Sequence, residues 1–149
     1  MFAAVSRSHY FLLVILCCGL GAAVSALSLR HHYRRDPTSF CNFNATFNCD
    51  VVNQSAYSEV AGIPVALVGM TAYLLMIGIC VFQNKKPETP ALLLFLSVMG
   101  LAFSLYLTYV EGEVLRTWCV LCLASLVSIM LIVFLSARRV RHELREHRP

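Results

Sequence analysis

Four long stretches free of charged side chains set the limits on what this chain can become: Tyr10–Leu29, Pro64–Phe82, Ala91–Val110 and Thr117–Ala137. At about 1.5 Å rise per residue, each is long enough to cross a hydrocarbon core of ~30 Å as a helix. A helix also satisfies its own backbone polar groups where no water can. The chain is 58% hydrophobic and 13% charged, outside the usual range of a water-soluble domain. The reading is an all-α membrane protein, a four-transmembrane-helix bundle with a cysteine-bearing outer loop between the first and second helices. It leaves no room for a second domain: residues 1–149 form one unit, with helices at about 10–29, 64–82, 91–110 and 117–137 and a basic tail over 138–149.

The first stretch has a rival reading. Arg7, the apolar run and Val24-Ser25-Ala26 together resemble a secretory signal with a cleavage site. Its uncharged run of 20 residues exceeds the usual ~7–15 of a signal core, so it reads as a membrane span.

Charge gives orientation. With four spans both termini share a side, and that side carries Arg7, Lys85, Lys86, Arg138, Arg139, Arg141, Arg145 and Arg148, eight of the twelve Lys and Arg. The other side carries Arg30, Arg34, Arg35 and Arg116. Basic residues favour the cytoplasmic side, which places both termini inside and the long first loop outside. The basic tail then reads as a topology anchor rather than a nucleic-acid site. No acidic or basic side chain falls within any of the four spans, which disfavours ion pumping and transport. Arg30-His31-His32-Tyr33-Arg34-Arg35 reads as a solvated interfacial belt, and Glu111–Arg116 as a short second outer loop.

Four of the seven cysteines share the outer side. Cys41 and Cys49 lie in the first loop with seven residues between them, close enough to form a disulfide on an oxidising face. Cys119 and Cys122 form a C-x-x-C pair at the start of the fourth span, roughly 60° apart around a helix. The first turn of a helix favours a thiolate. A C-x-x-C is also half of a zinc site, and all four sulfurs together would suit a closed zinc centre. Two dithiols on one face can instead exchange a disulfide by thiolate attack. Cys17, Cys18 and Cys80 read as inert apolar groups. Asn44-Ala45-Thr46 and Asn53-Gln54-Ser55 fit glycosylation acceptors, a weak pattern.

The order of these motifs is specific. Cys41-x7-Cys49, Ser55, Gly62-Ile63-Pro64-Val65-Ala66-Leu67 and Cys119-Val120-Leu121-Cys122 resemble the vitamin K epoxide reductase family in its bacterial branch. The other quinone-coupled thiol oxidase of bacterial envelopes has its two cysteine pairs in the reverse order.

The resemblance implies that Cys41 takes electrons from a thioredoxin-like partner and Cys49 relays them to Cys119. Cys122 would lie beside the quinone (ubiquinone, menaquinone or vitamin K type) and react with it, with Cys119 closing the disulfide. Ser55 matches a loop serine of the active-site region. Ser58 stands where animal enzymes have a hydrogen-bonding asparagine, and Leu126 where they have a quinone-binding tyrosine. Both departures favour quinone reduction over epoxide reduction. Many bacterial relatives add a fifth helix and a fused thioredoxin-like domain; without these, the partner is expected to be a separate protein. The expected location is a bacterial inner membrane with periplasmic cysteines, or an endoplasmic-reticulum membrane in a eukaryote. The competing class is a structural four-span protein with a static loop disulfide, resembling the claudin-like organisation. That family carries a tryptophan motif ahead of its loop cysteines, whereas the single tryptophan here is Trp118.

Overall fold

The computed structural model describes residues 7–34 and 41–146; Arg35 of the expected belt, the loop start at Asp36 and Arg148 of the tail lie outside them. Its long helices are α1 (Arg7–Tyr33), α3 (Val65–Phe82), α4 (Thr89–Tyr109) and α5 (Val120–Glu146). Each is long and apolar enough to cross a membrane. A five-residue helix, α2 (Cys49–Asn53), and a hairpin of β1 (Glu59–Val60) and β2 (Ile63–Pro64) lie between α1 and α3. Along the bundle α1 packs against α3 and α5, and α4 packs against α5.

Large apolar side chains cover the outside of these helices: Leu16, Leu20, Phe95, Met99, Leu131 and Phe134 are all exposed. Such a continuous surface belongs in lipid. Lipid tails are as apolar as leucine, so helix pairing must come from close packing and interhelical hydrogen bonds. Both are present. Gly21 receives the ring of Tyr73, whose hydroxyl donates to the Ser125 carbonyl at 3.0 Å. Gly69 lies against Ser25, and Gly100 against Ile129. At the opposite end, the hydroxyls of Tyr10 and Ser136 meet at 3.0 Å. Cys18 and Cys80 are buried in the same core with Val14, Met76 and Leu93. Removal of the chain before Leu27, as in a cleaved signal, would take away most of the helix that contacts both α3 and α5.

Several helix ends differ from the sequence expectation. At the N-terminal end of α1, the Arg7 guanidinium donates to the carbonyls of Asn84 (3.0 Å) and Lys86 (2.6 Å), fastening it to the turn after α3. At the far end, α5 continues through the basic tail to Glu146, where an Arg139–Glu143 ion pair (3.0 Å) supports it at i,i+4 spacing. Pro64, expected as the first residue of the second helix, sits one position earlier with extended backbone. The cause is the hairpin, which pairs Val60 with Ile63 across a two-residue turn. Ala61 and Gly62 there have φ of 53° and 78°. Two positive φ values in succession suit the right-handed twist of the strands, and glycine adopts the second without a steric penalty.

The Gly21–Tyr73 contact gives a stability test. A Cβ on Gly21 would lie 2.3–2.6 Å from three ring atoms of a buried tyrosine that is held in place by Ser125. Overpacking of this kind costs about 1–3 kcal/mol. Gly21→Ala is therefore expected to lower the thermal midpoint in detergent, while Gly19→Ala, with open space around it, leaves the midpoint in place. Equal midpoints for the two variants would show that the ring moves aside freely.

Candidate functional site

The first loop is folded by its own polar side chains. Asn44 Oδ1 accepts from the N–H groups of Thr46 and Phe47, both at 2.9 Å. This Asx-type turn reverses the chain, and Phe43 N–H donates to the Phe47 carbonyl at 3.0 Å. Asn42 and Asn48 then stand opposite one another. Cys41 and Cys49, next outward on each arm, lie with Cα atoms 5.6 Å apart and are joined as a disulfide. Asn48 Oδ1 caps α2 by accepting from Asp50 and Val51 N–H.

The same loop is laced to the residues ahead of α5. Trp118 N–H donates to the Thr46 carbonyl at 2.8 Å, and Asn48 N–H to the Trp118 carbonyl at 3.2 Å. This parallel pairing puts Cys49 beside Cys119. The sulfurs of Cys41, Cys49 and Cys119 all lie within 4.8 Å of one another, and all three residues are buried. Asn53 is buried over them, donating its amide N–H to the Cys49 carbonyl at 2.9 Å and to Cys119 Sγ at 3.7 Å. In the folded protein that nitrogen is engaged and buried, so the second glycosylation pattern is not at the surface.

Helix α5 begins at Val120 rather than Thr117, which makes Cys119 its N-cap. The Cys119 carbonyl accepts from Leu123 N–H at 3.0 Å, and its sulfur accepts from Cys122 N–H at 3.4 Å. Hydrogen bonding from the Cys122 side chain, helped by this backbone N–H, holds the Cys119 thiol below its ordinary value against the opposing effect of burial. Cys122 is half-buried one turn further on and stays outside the three-sulfur cluster.

Cys122 faces a cavity of about 110 Å³ between α1, α3, α4 and α5, on a measure by which one water takes about 10–15 Å³. Its walls are mainly apolar, with Val24, Val65, Ala66, Phe103, Leu107 and Leu121 among them, interrupted by the hydroxyls of Ser25, Ser28, Ser104 and Ser125. His32, Asn53, Ser55 and Ser58 also line it. Ser55 donates to the Val52 carbonyl (2.8 Å) and Ser58 to the Ser55 carbonyl (2.7 Å), so both hydroxyls shape the cavity roof. Leu126 is not on the cavity wall; it packs against the main core, and Ser125 takes the wall position.

Two features run against the sequence reading. The histidine pair is a clamp rather than a solvated belt. His31 Nδ1 meets Asp50 Oδ1 at 2.9 Å, while Asn42 donates to the other oxygen of Asp50 at 2.7 Å. His32 Nδ1 meets the Asn53 carbonyl at 2.6 Å, and its Nε2 meets Glu59 at 3.1 Å. These contacts arise because α1 continues to Tyr33 and the loop folds back over its end.

The second outer loop is not a loop either. α4 continues as a π-helical turn over Val110–Leu115, ended by Arg116 in the left-handed region (φ 49°). The wider turn carries Glu111 inward to 2% exposure, so an acidic side chain is buried at the end of a helix long enough to span a membrane. Glu111 Oε2 accepts the Cys119 N–H at 3.0 Å, and its carbonyl accepts from Thr117 at 3.1 Å. Gly112 makes room for the Trp118 ring, which would lie 3.2 Å from an added Cβ.

The model of the vitamin K epoxide reductase family matches residues 12–137 of the 149. The chain belongs to that family. It is therefore a membrane oxidoreductase, and the match takes in both cysteine pairs, Glu111 and the cavity. The clustered cysteines fit thiol redox chemistry.

Asn53 was not singled out by the sequence as part of this site, and its effect is measurable. Removing a donor from a sulfur disfavours the thiolate. With Cys17, Cys18 and Cys80 replaced by alanine, Asn53→Ala is expected to move the first thiolate titration of the reduced protein to higher pH, read by ultraviolet absorbance. A midpoint unchanged by the substitution would show that the 3.7 Å contact carries no weight.

Proposed function

We propose that this protein draws two electrons from a thioredoxin-like partner and delivers them to a membrane quinone, supporting disulfide formation. The observation that carries this reading is the convergence of Cys41, Cys49 and Cys119 within 4.8 Å, with Cys122 next along on a cavity wall. Cys41 receives the electrons, which opens the loop disulfide and oxidises the partner dithiol. The Cys49 thiolate then attacks Cys119 in a Cys119–Cys122 disulfide, and Cys122 leaves as the thiolate. Cys41 attacks Cys49 in turn, which restores the loop disulfide and frees Cys119, and the two protons given up by the partner and loop thiols pass to the helix pair. The helix pair, now reduced, holds the two electrons beside the cavity.

The residues present fit a quinone. An apolar ring needs apolar walls and one or two polar groups for its oxygens, and the cavity has that composition. A bound quinone supplies a two-electron sink. Cys122, Ser58 and the roof serine Ser55 are the groups proposed to touch or frame it, and Leu126 is proposed to act only from behind the wall. The eight-to-four charge distribution supports cytoplasmic termini and an outward-facing, periplasmic site in a bacterial inner membrane.

The relay has a direct test. In quinone-containing membranes, with Cys49 initially reduced, Cys41→Ser is expected to accumulate a Cys49–Cys119 bond, read by non-reducing digestion and peptide mass analysis. Cys122→Ser should abolish quinone reduction while leaving the loop pair able to react with partner. Absence of the Cys49–Cys119 linkage beside normal wild-type turnover would sink the route through Cys119.

Sidedness is tested separately. Cysteines placed at the exposed positions Ala45 and Asn84, with reactive native thiols removed, should react with an impermeant reagent from opposite sides. Labelling of both from one side would overturn the orientation.

A further inference from the structure

One buried group beside the thiols has chemistry still unassigned. Glu111 is 2% exposed and uses one oxygen, Oε2, to accept the Cys119 N–H at 3.0 Å. Its other oxygen, Oε1, has no hydrogen-bond partner among the described residues. The side chain lines the same cavity as Cys122, and both residues hydrogen-bond to Cys119. No cation pairs with it among the ion pairs of the described residues. A buried carboxylate oxygen without a partner costs several kcal/mol unless something takes up the bonding capacity. It sits on a π-helical turn, and such turns gather at functional sites.

We propose that Glu111 is the proton carrier of the helix-5 dithiol: its Oε1 takes the proton of the Cys122 thiol and passes it to an oxygen of the quinone in the cavity. The proposal rests on the quinone reading above. In the balanced step, the two S–H bonds of Cys119 and Cys122 break and one S–S bond forms between them. Two O–H bonds form on the acceptor, which takes up the electron pair. One of its protons comes from Cys122 through Glu111; the other is exchanged with water at the outer mouth, where the Cys119 proton is released. Glu111 starts and ends as the carboxylate.

Holding Oε2 on the Cys119 N–H fixes the carboxylate while Oε1 works. Glutamine can keep that hydrogen bond but cannot carry the proton, so Glu111→Gln separates the two roles. Two measurements use the full-length membrane protein.

The first is alkylation of Cys122 by iodoacetamide in reduced protein free of quinone, followed against pH and assigned by tandem mass analysis. The wild-type rate should rise in more than one step, as expected of coupled groups. The Glu111→Gln rate should lose one of those steps and be several-fold higher at pH 7, because a neighbouring negative charge is gone. Cys119, His32 and Tyr57, with the reduced Cys41 and Cys49 beyond Cys119, also titrate near this space, and all stay in place. A step lost only in Glu111→Gln therefore belongs to Glu111.

The second is quinone reduction, where general acid–base loss predicts a fall in kcat of about 100-fold or more at unchanged KM. Glu111→Asp should recover part of it. A more reactive thiol together with slower turnover is not what a merely structural role would produce. An unchanged alkylation profile, or turnover within threefold of wild type, overturns the proposal while leaving the quinone reading intact. A wild type that reduces no quinone sinks the quinone reading, and the proposal falls with it.

Discussion

The site depends on two backbone hydrogen bonds, Trp118 N–H to Thr46 and Asn48 N–H to Trp118. They flank Phe47, two residues before Cys49, and both are made by Trp118, the residue next to Cys119. A slip of one residue in this pairing would displace Cys49 by about 3.3 Å and turn its side chain to the opposite face. Register, rather than attraction between sulfurs, thus sets which cysteines can exchange. Both bonds are made by the main chain, so the cysteines and their neighbours are free to be chosen for chemistry. The histidine clamp on Asp50 and Asn53 holds the other side of the loop to α1. The dithiol is gripped from two spans at once.

The start of α5 shows how its orphan donors are shared. The first N–H groups of a helix have no intrahelical acceptor. Here the Cys119 N–H goes to Glu111 and the Cys122 N–H to the Cys119 sulfur. One donor therefore fixes a carboxylate and another favours a thiolate, and both are drawn from the same turn. In low dielectric these bonds weigh more than they would in water. The arrangement ties the Cys119 thiol and the buried Glu111 carboxyl to neighbouring donors at one helix end.

Much of this was legible in the sequence, and the parts that were not have physical reasons. The four spans follow from length and lack of charge, and structure and family model agree with them. The proximity of the two cysteine pairs followed from their shared side, since a four-span chain can bring two outer segments together. The inward turn of Glu111 was hidden because a charged residue between two apolar runs ordinarily marks the membrane exit. Nothing in Val110–Leu115 signals that the helix widens instead of ending. The histidine clamp was hidden for a similar reason: its acceptors, Asp50 and Asn53, are some twenty residues away and are presented only once α2 has formed. Leu126 shows the limit of counting by alignment. A residue one position away, Ser125, faces the cavity, because on a helix successive side chains point about 100° apart.

The exposure of the two helix cysteines fits the proposed exit of electrons toward the cavity. Cys119 has no exposure at all, while Cys122 is half-buried on the cavity wall. Cys119 has the loop sulfurs on one side and Cys122 one turn further on. A sulfur forms one disulfide at a time, so Cys119 can be bonded to the loop or to Cys122, and never to both. In the relay, electron transfer is then an exchange of partner at a single atom that is capped onto the end of a helix. Neither α5 nor the loop has to travel, because every sulfur that Cys119 must meet already lies beside it. Water is kept from Cys119 throughout, which protects its thiolate from competing oxidants. The quinone side needs access instead, and the more open Cys122 supplies it.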